Sequence, residues 1–135
     1  MLKIAIVGLG TVSQVHLGVI QSFEEQGRVK LVAGCDVDPE KKGKLPQDVP
    51  FYTDLSEMLK EAKPDAVHSC LPHDLHSRLG RKILASGAHL LTEKPLAHNL
   101  EAAQEFVDDA KHYPDQVAAV CFQNRLNPCS VALKQ

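Results

Sequence analysis

The 135-residue sequence predicts an α/β fold built on a doubly wound parallel sheet of six strands. Short apolar runs alternate from end to end with segments whose apolar residues recur at helical spacing. The clearest run, KIAIV at residues 3–7, is apolar on both faces, which is typical of parallel strands covered by helices on either side. Parallel strands need crossover connections, and the alternating helical segments supply them.

The predicted strands are short segments rich in Val, Leu, Ile and Ala. They cover residues 3–7, 29–35, 49–52, 66–70, 89–91 and 117–122. Aromatic residues make up only 4% of the chain, so we expect an aliphatic core. No internal repeat or low-complexity linker separates the segments, which favours a single domain.

The helices are predicted from apolar stripes and from the residues that begin them. The stripes are Val12, Val15, Val19 and Phe23; Leu55, Met58, Leu59 and Ala62; Leu75, Leu79 and Ile83; and Leu100, Ala103, Val107 and Ala110. Asp38, before a proline and an acidic residue, predicts the start of a short helix. Asp54 begins a segment that resembles a capping box, Asn99 is a third N-cap, and Gly87 lies just past a helix end.

Composition argues against two classes of partner. A net charge of −2 lacks the basic surplus that nucleic-acid binders use, so we expect no nucleic-acid partner. The longest uncharged stretch, residues 4–23, is too polar to span a bilayer, and no signal-peptide pattern precedes the first strand. No pair of the four cysteines has CxxC spacing, so neither a zinc site nor a disulfide framework is indicated. Reduced thiols favour a cytoplasmic location.

A glycine-rich turn follows the first strand directly. Gly8 allows the sharp turn, and Gly10 lets the backbone approach a pyrophosphate. Ser13 is small enough for close contact between helix and strand, where this motif more often has Gly or Ala. The N–H groups of Thr11 and Val12, at the positive end of the following helix, are expected to face the phosphates. The turn therefore predicts a dinucleotide site.

Asp36 ends the second strand, where an acidic residue accepts hydrogen bonds from the adenine ribose hydroxyls. A carboxylate there repels a 2′-phosphate, so NAD is favoured over NADP. Lys41, Lys42 and Lys44 lie a few residues further on, where they could bind such a phosphate or form a solvated helix face. NADP therefore stays open as the alternative cofactor.

Glu93, Lys94 and Pro95 follow the fifth strand, at the edge of the sheet where ligands bind in open parallel sheets. Successive side chains face opposite ways along a strand, so Glu93 and Lys94 are not expected to form a simple ion pair. Pro95 confines Lys94 to extended geometry and ends the pairing of the strand. We therefore expect the Lys94 ammonium at the rim of the cofactor crevice.

Three stretches, GLGTVSQVH, SCLPHDLH and EKPLA, resemble the Gfo/Idh/MocA oxidoreductases, named for glucose–fructose oxidoreductase and inositol dehydrogenase. The resemblance extends over essentially the whole chain and implies a Rossmann domain that binds a nicotinamide cofactor. It also implies a sugar, cyclitol or sugar-nucleotide substrate whose hydroxyl is oxidised. By the same resemblance Lys94 handles the proton or orients the hydroxyl, and Leu71, Pro72, His76 and Glu93 lie at the cofactor.

The resemblance also sets the expected domain organisation. Residues 1–127 are expected to form the dinucleotide-binding Rossmann domain, and residues 128–135 the start of a connection to a C-terminal substrate domain outside this sequence. Pro128 begins a helix in which Val131 and Leu133 are expected to turn inward. By itself the fragment is expected to be inactive, whereas the full-length protein is expected to form a homo-oligomer.

Several assignments keep an alternative. Arg125 could contact the nicotinamide or substrate, or it could serve the domain junction. His16 and His68 are better explained by packing than by ligand binding. Two other functions use the same fold: a non-catalytic dinucleotide sensor, and a reductase acting on imines or unsaturated acids. The substrate itself is not predicted, because the substrate-facing part lies outside the sequence.

Overall fold

The computed structural model describes residues 1–134. Its strands are β1 (Leu2–Val7), β2 (Val29–Cys35), β3 (Phe51–Tyr52), β4 (Ala66–Ser69), β5 (His89–Thr92) and β6 (Ala118–Val120). They form one six-stranded sheet in the order β3-β2-β1-β4-β5-β6, and every neighbouring pair is parallel. The predicted fold class is therefore confirmed. Within residues 1–134, no helix is both long and apolar enough to cross a membrane.

The α-helices connect the strands as the alternation predicts. They are α1 (Ser13–Glu25), α2 (Leu55–Ala62), α3 (His76–Ala85), α4 (Leu100–Ala110) and α5 (Pro128–Ala132). Short 3-10 helices cover Pro39–Lys44, His73–Leu75 and Gln123–Leu126. The predicted caps are confirmed, since the side chains of Asp38, Asp54 and Asn99 each accept a hydrogen bond from a backbone N–H of the first turn.

The sheet has one hydrophobic core on each face. On one face, Ile20 of α1 packs against the inward residues Ile4, Ile6 and Leu31 of β1 and β2. On the other face, α2, α3 and α4 cover the alternate strand residues, and Phe106 of α4 is buried there. Because the connections change face after β3, the direction of winding reverses between β1 and β4. That switch point is where open α/β sheets form a ligand crevice.

Three predicted apolar faces are wrong. In the predicted stripe of α4, Leu100 and Val107 are 84% and 44% exposed, and Phe106 is the residue that is buried instead. The valine stripe of α1 lies in solvent, with Val12, Val15 and Val19 between 46% and 69% exposed, while Ser13 and His16 of the neighbouring face are buried. The small hydroxyl and the histidine face the strands because they find partners there, whereas valines on the outer face meet no second layer. Likewise Val131 and Leu133, at 45% and 88% exposure, do not turn inward as predicted.

Candidate functional site

The turn after β1 is held by close backbone contacts. Gly8 has a φ of 83°, and its N–H donates to the carbonyl of Cys35 over 2.9 Å. A Cβ at this position would lie 2.5 Å from the carbonyl oxygen of Cys70, so only glycine fits between β1 and the end of β4. Ser13 is fully buried, and its hydroxyl donates to the carbonyl of Gly10 over 2.7 Å. The turn is therefore fixed before any ligand binds.

Three backbone N–H groups of this turn are free to bind an anion. Within residues 1–134 the N–H groups of Gly10, Thr11 and Val12 have no acceptor, and all three residues are exposed. They precede the first turn of α1, where the helix dipole favours negative charge. A Cβ built at Gly10 would meet no atom within 4 Å, so the backbone lies open to the cleft. This arrangement fits the pyrophosphate of a dinucleotide.

Asp36, directly after β2, has a structural role that the sequence did not reveal. Its Oδ2 accepts a hydrogen bond from the N–H of Leu9 over 2.7 Å, and its Oδ1 accepts one from the N–H of Asp38 over 3.0 Å. Each carboxylate oxygen can accept a second hydrogen bond. Asp36 thus holds the turn and still offers acceptors to a ribose.

A cleft of about 550 Å³ lies between the carboxyl ends of β1, β2 and β4. It brings together five of the predicted cofactor residues, namely Gly8, Gly10, Asp36, Leu71 and Pro72. Its volume is in the range of about 300–1,000 Å³ that is usual for small-molecule sites. Arg78 and Lys82 of α3 also line it, although sequence reasoning missed them. Their spacing of one helical turn was the available signal, but which face of α3 meets the cleft depends on the packing.

Glu93 lies at the centre of a polar cluster on the α1 side of the sheet. Its carboxylate accepts a hydrogen bond from His16 Nε2 over 2.9 Å, and His16 Nδ1 lies 3.0 Å from His68 Nδ1. Burial acts to raise the pKa of Glu93, but hydrogen bonds from His16 and Cys121 and the His16 charge outweigh it and hold the pKa below its usual value. His16, Glu93 and Cys121 offer ligand atoms within 4.8 Å of one another. Hydrogen bonds already satisfy these groups without an ion.

His68 is a half-buried partner within this cluster. Burial, and after it the charge of His16, lower the pKa of His68 to about 4. The ring is therefore neutral near neutral pH. The expectation that His16 and His68 are satisfied core residues agrees with this geometry.

Lys94 is exposed one residue beyond Glu93, at the same edge of the sheet as the glycine turn. The register aligns Val7 of β1 with Ser69 of β4 and Ser69 with Thr92 of β5, so these strand ends lie side by side. The Lys94–Pro95 peptide bond is cis. Lys94 therefore follows the carboxyl end of β5, at the same sheet edge as the glycine turn, and its place at the cofactor crevice stays a prediction.

His76 and Arg125 differ in position from the other predicted residues. His76 is 1% exposed, and its ring nitrogens lie 2.6 Å from the Pro95 carbonyl oxygen and 2.7 Å from that of Leu71. The ring therefore links the segments after β4 and β5 instead of presenting a free nitrogen to the cleft. Arg125 lines a separate apolar cavity of about 660 Å³ beside β5 and β6. Arg125 does not line the cleft beside the glycine turn, and its role at the nicotinamide or substrate, or at a domain junction, stays a prediction.

Together, the parallel sheet, the glycine turn after β1, the acidic residue after β2 and the cleft at the switch point define a dinucleotide-binding domain of the Rossmann type. The sequence agrees with this class. Residues 2–120 match the Gfo/Idh/MocA oxidoreductase family, described by its NAD-binding Rossmann fold, and the chain belongs to that family.

The chain is similar to three proteins whose names give three different activities. The chain is 33% identical to glycosyl hydrolase family 109 protein 1 of Akkermansia muciniphila, over 81% of its own length and 24% of that protein. It is 31% identical to D-glucoside 3-dehydrogenase of Escherichia coli, over 92% of the chain and 35% of the enzyme. The chain also resembles the redox-sensing transcriptional repressor Rex of Listeria welshimeri over a shorter segment. The two are 33% identical over 53% of the chain and 34% of the repressor.

Two solved structures superpose closely on the fold. WlbA dehydrogenase of Chromobacterium violaceum, in complex with NADH and UDP-GlcNAcA, has a TM-score of 0.90 at 29% identity and covers 98% of the chain. The scyllo-inositol dehydrogenase of Lactobacillus casei, with bound NAD(H) and scyllo-inositol, has a TM-score of 0.90 at 25% identity and covers the whole chain. The chain spans 38% and 40% of these two proteins.

Proposed function

We propose that the full-length protein is an NAD-dependent dehydrogenase that oxidises a hydroxyl group of a sugar, cyclitol or sugar nucleotide. The observation that carries this proposal is the position of Lys94, exposed at the carboxyl end of β5 and on the same sheet edge as the free N–H groups of the glycine turn. Membership of an NAD-binding oxidoreductase family supports the cofactor. The ligands of the two solved relatives support the substrate class.

The residues of this chain would hold the cofactor in two parts. The N–H groups of Gly10, Thr11 and Val12 would bind the pyrophosphate, and Asp36 would accept hydrogen bonds from the adenine ribose. Leu71 and Pro72 line the cleft and would contact the apolar faces of the adenosine half. Asp36 supports NAD over NADP, and Arg78 and Lys82, which line the same cleft, are cations that could accommodate a 2′-phosphate.

Lys94 would handle the proton of the substrate hydroxyl. Bound NAD supplies a nicotinamide ring that accepts the hydride from the carbinol carbon. The hydroxyl proton has to leave as the C–H bond breaks, since otherwise positive charge accumulates on the substrate. As an amine, Lys94 takes up that proton. As an ammonium, it donates a hydrogen bond to the developing alkoxide.

The remaining substrate contacts would come from a second domain, since this chain spans between 24% and 40% of the relatives and structures described above. In this proposal residues 1–127 form the cofactor domain, and residues 128–135 lead to the substrate domain. The free cysteines support a cytoplasmic location. The exposed valines of α1 support self-association or domain contact in the full-length protein.

NAD-linked turnover separates this proposal from its rivals. The full-length protein is incubated with NAD and a panel of sugars, inositols and UDP-sugars, and NADH is followed at 340 nm. We expect NADH formation with at least one substrate, and its loss in Lys94→Ala with NAD affinity retained. With glycosides added to the panel, cleavage without net NADH would favour the hydrolase activity that the name of the Akkermansia muciniphila relative gives. NAD(H) binding with neither reaction would favour a sensor.

A further inference from the structure

Two histidines from opposite faces of the sheet hold the segment that carries Lys94. His16 projects from α1 on one face and contacts the Glu93 carboxylate. His76 begins α3 on the other face and contacts the Pro95 carbonyl oxygen. Both rings are buried, at 8% and 1% exposure, so neither is available to a ligand. The residues on either side of Lys94 are therefore fixed from two directions.

The His16 contact acts on Glu93, the residue that immediately precedes Lys94. The Glu93 carboxylate accepts a hydrogen bond from His16 Nε2, and Glu93 is joined to Lys94 by a peptide bond. The Glu93 backbone N–H donates to the Ser69 carbonyl over 2.9 Å, which ties the same residue to β4. Glu93 thus links α1, β4 and the backbone of Lys94. A shift of the Glu93 carboxylate therefore displaces the Lys94 backbone and, with it, the Lys94 side chain.

His68 keeps the His16 ring in the orientation that this contact needs. When His16 is neutral, His68 Nδ1–H donates to His16 Nδ1, and the proton of His16 is then on Nε2, facing Glu93. When His16 is charged, its Nδ1–H donates to a neutral His68, and Nε2 again carries a proton. His16 Nε2 is therefore a donor to Glu93 in either protonation state.

We propose that His16 is a positioning residue for Lys94, acting through the Glu93 carboxylate and oriented by His68. This inference rests on the proposed function of Lys94. The donor to Glu93 matters more than the ring itself, so His16→Gln, whose amide nitrogen reaches about as far as Nε2, preserves the contact. His16→Asn places its amide nitrogen near the position of Nδ1 and leaves the Glu93 carboxylate without this donor.

Steady-state kinetics on the full-length protein test the proposal. We expect His16→Asn to lower kcat about 100-fold, because misplacing a reacting group by about 1 Å costs on that order. We expect His16→Gln to keep kcat within about threefold of wild type, and the Kd for NAD to change little in either variant. The matched control is His98→Asn, since His98 is exposed. Equal kcat losses in the Asn and Gln variants would overturn the proposal.

A double-mutant cycle distinguishes positioning from general damage to the fold. If His16 acts through Lys94, His16→Asn lowers the residual rate of Lys94→Ala by less than about threefold. If His16→Asn lowered the rate of the Lys94→Ala variant by a further 100-fold, His16 would act independently of Lys94, which would overturn the proposal.

Amide hydrogen exchange keeps the test decisive if the wild-type protein oxidises no member of the panel, which would refute the proposed function alone. We then expect the Glu93 amide, which donates to the Ser69 carbonyl, to exchange at least about tenfold faster in His16→Asn than in wild type, and at the wild-type rate in His16→Gln. Unchanged exchange in His16→Asn would overturn the positioning role.

Discussion

Replacing Gly8 by alanine should destabilise the fold, whereas the same change at Gly10 should not. The Gly8 backbone has a φ of 83°, and a residue with a side chain adopts this left-handed region at a cost of about 1–2 kcal/mol. The added Cβ would lie 2.5 Å from the oxygen and 2.8 Å from the carbon of the Cys70 carbonyl. Both are backbone atoms, so no rotamer change relieves the contact.

The size of the loss follows from how much the strands must separate. Ordinary van der Waals contact begins at 3.4 Å, so β1 and the end of β4 would have to part by nearly 1 Å. That shift stretches the hydrogen bond from the Cys70 N–H to the Val7 carbonyl, which is 2.8 Å long. Overpacking of this kind costs about 1–3 kcal/mol. With the backbone term, Gly8→Ala should lower the free energy of unfolding by about 2–5 kcal/mol.

Urea denaturation of the 135-residue chain, followed by far-UV circular dichroism, measures this effect. Gly10→Ala is the matched control, because its Cβ would meet nothing within 4 Å and its φ lies outside the left-handed region. We expect its free energy of unfolding to stay within about 1 kcal/mol of wild type. A loss below about 1 kcal/mol for Gly8→Ala, or equal losses for the two variants, would refute the reasoning.

Three further predictions concern the cofactor, the polar cluster and the activity. Asp36→Asn should lower the ratio of the Kd for NADPH to the Kd for NADH, because it removes the charge that repels a 2′-phosphate and keeps a hydrogen-bond acceptor. An unchanged ratio would place Asp36 away from the ribose. His68 has its pKa lowered from 6.5 to about 4, so the unfolded chain binds the extra proton and stability falls as the pH drops from 6.5 to 4. The full loss is on the order of 3 kcal/mol, and urea midpoints should depend less steeply on pH in His68→Gln. The 135-residue chain should bind NADH yet form none from NAD and polyols, and clear turnover would mean that no second domain is needed.

Local sequence signals were sufficient for the fold. Strand–helix alternation predicts the parallel sheet, and side-chain caps such as Asp54 and Asn99 begin their helices where expected. These features depend on residues within a few positions of one another. The apolar stripe of α1 failed as a guide to its buried face, since the valines have the right spacing but the strands contact Ser13 and His16.

Long-range contacts explain what the sequence could not predict at the site. His16 and Glu93 are 77 positions apart, and no local pattern announces their hydrogen bond. His76 was expected at the cofactor, but two backbone carbonyls occupy its ring nitrogens, and those carbonyls are located only once the sheet has formed. Asp36 was predicted from its position after β2, yet its bond to the Leu9 N–H depends on the geometry of the neighbouring turn.

Calorimetric titration of NADH into the 135-residue chain tests most directly whether the turn at Gly8–Val12 holds the cofactor pyrophosphate. Gly10→Glu is the decisive variant, because its side chain would extend into the open cleft and bring a negative charge to the phosphates, while the fold has room for it. The account predicts measurable binding by the wild-type chain, and its loss in a Gly10→Glu variant that unfolds at the wild-type urea concentration. Unchanged NADH affinity in that folded variant would contradict it.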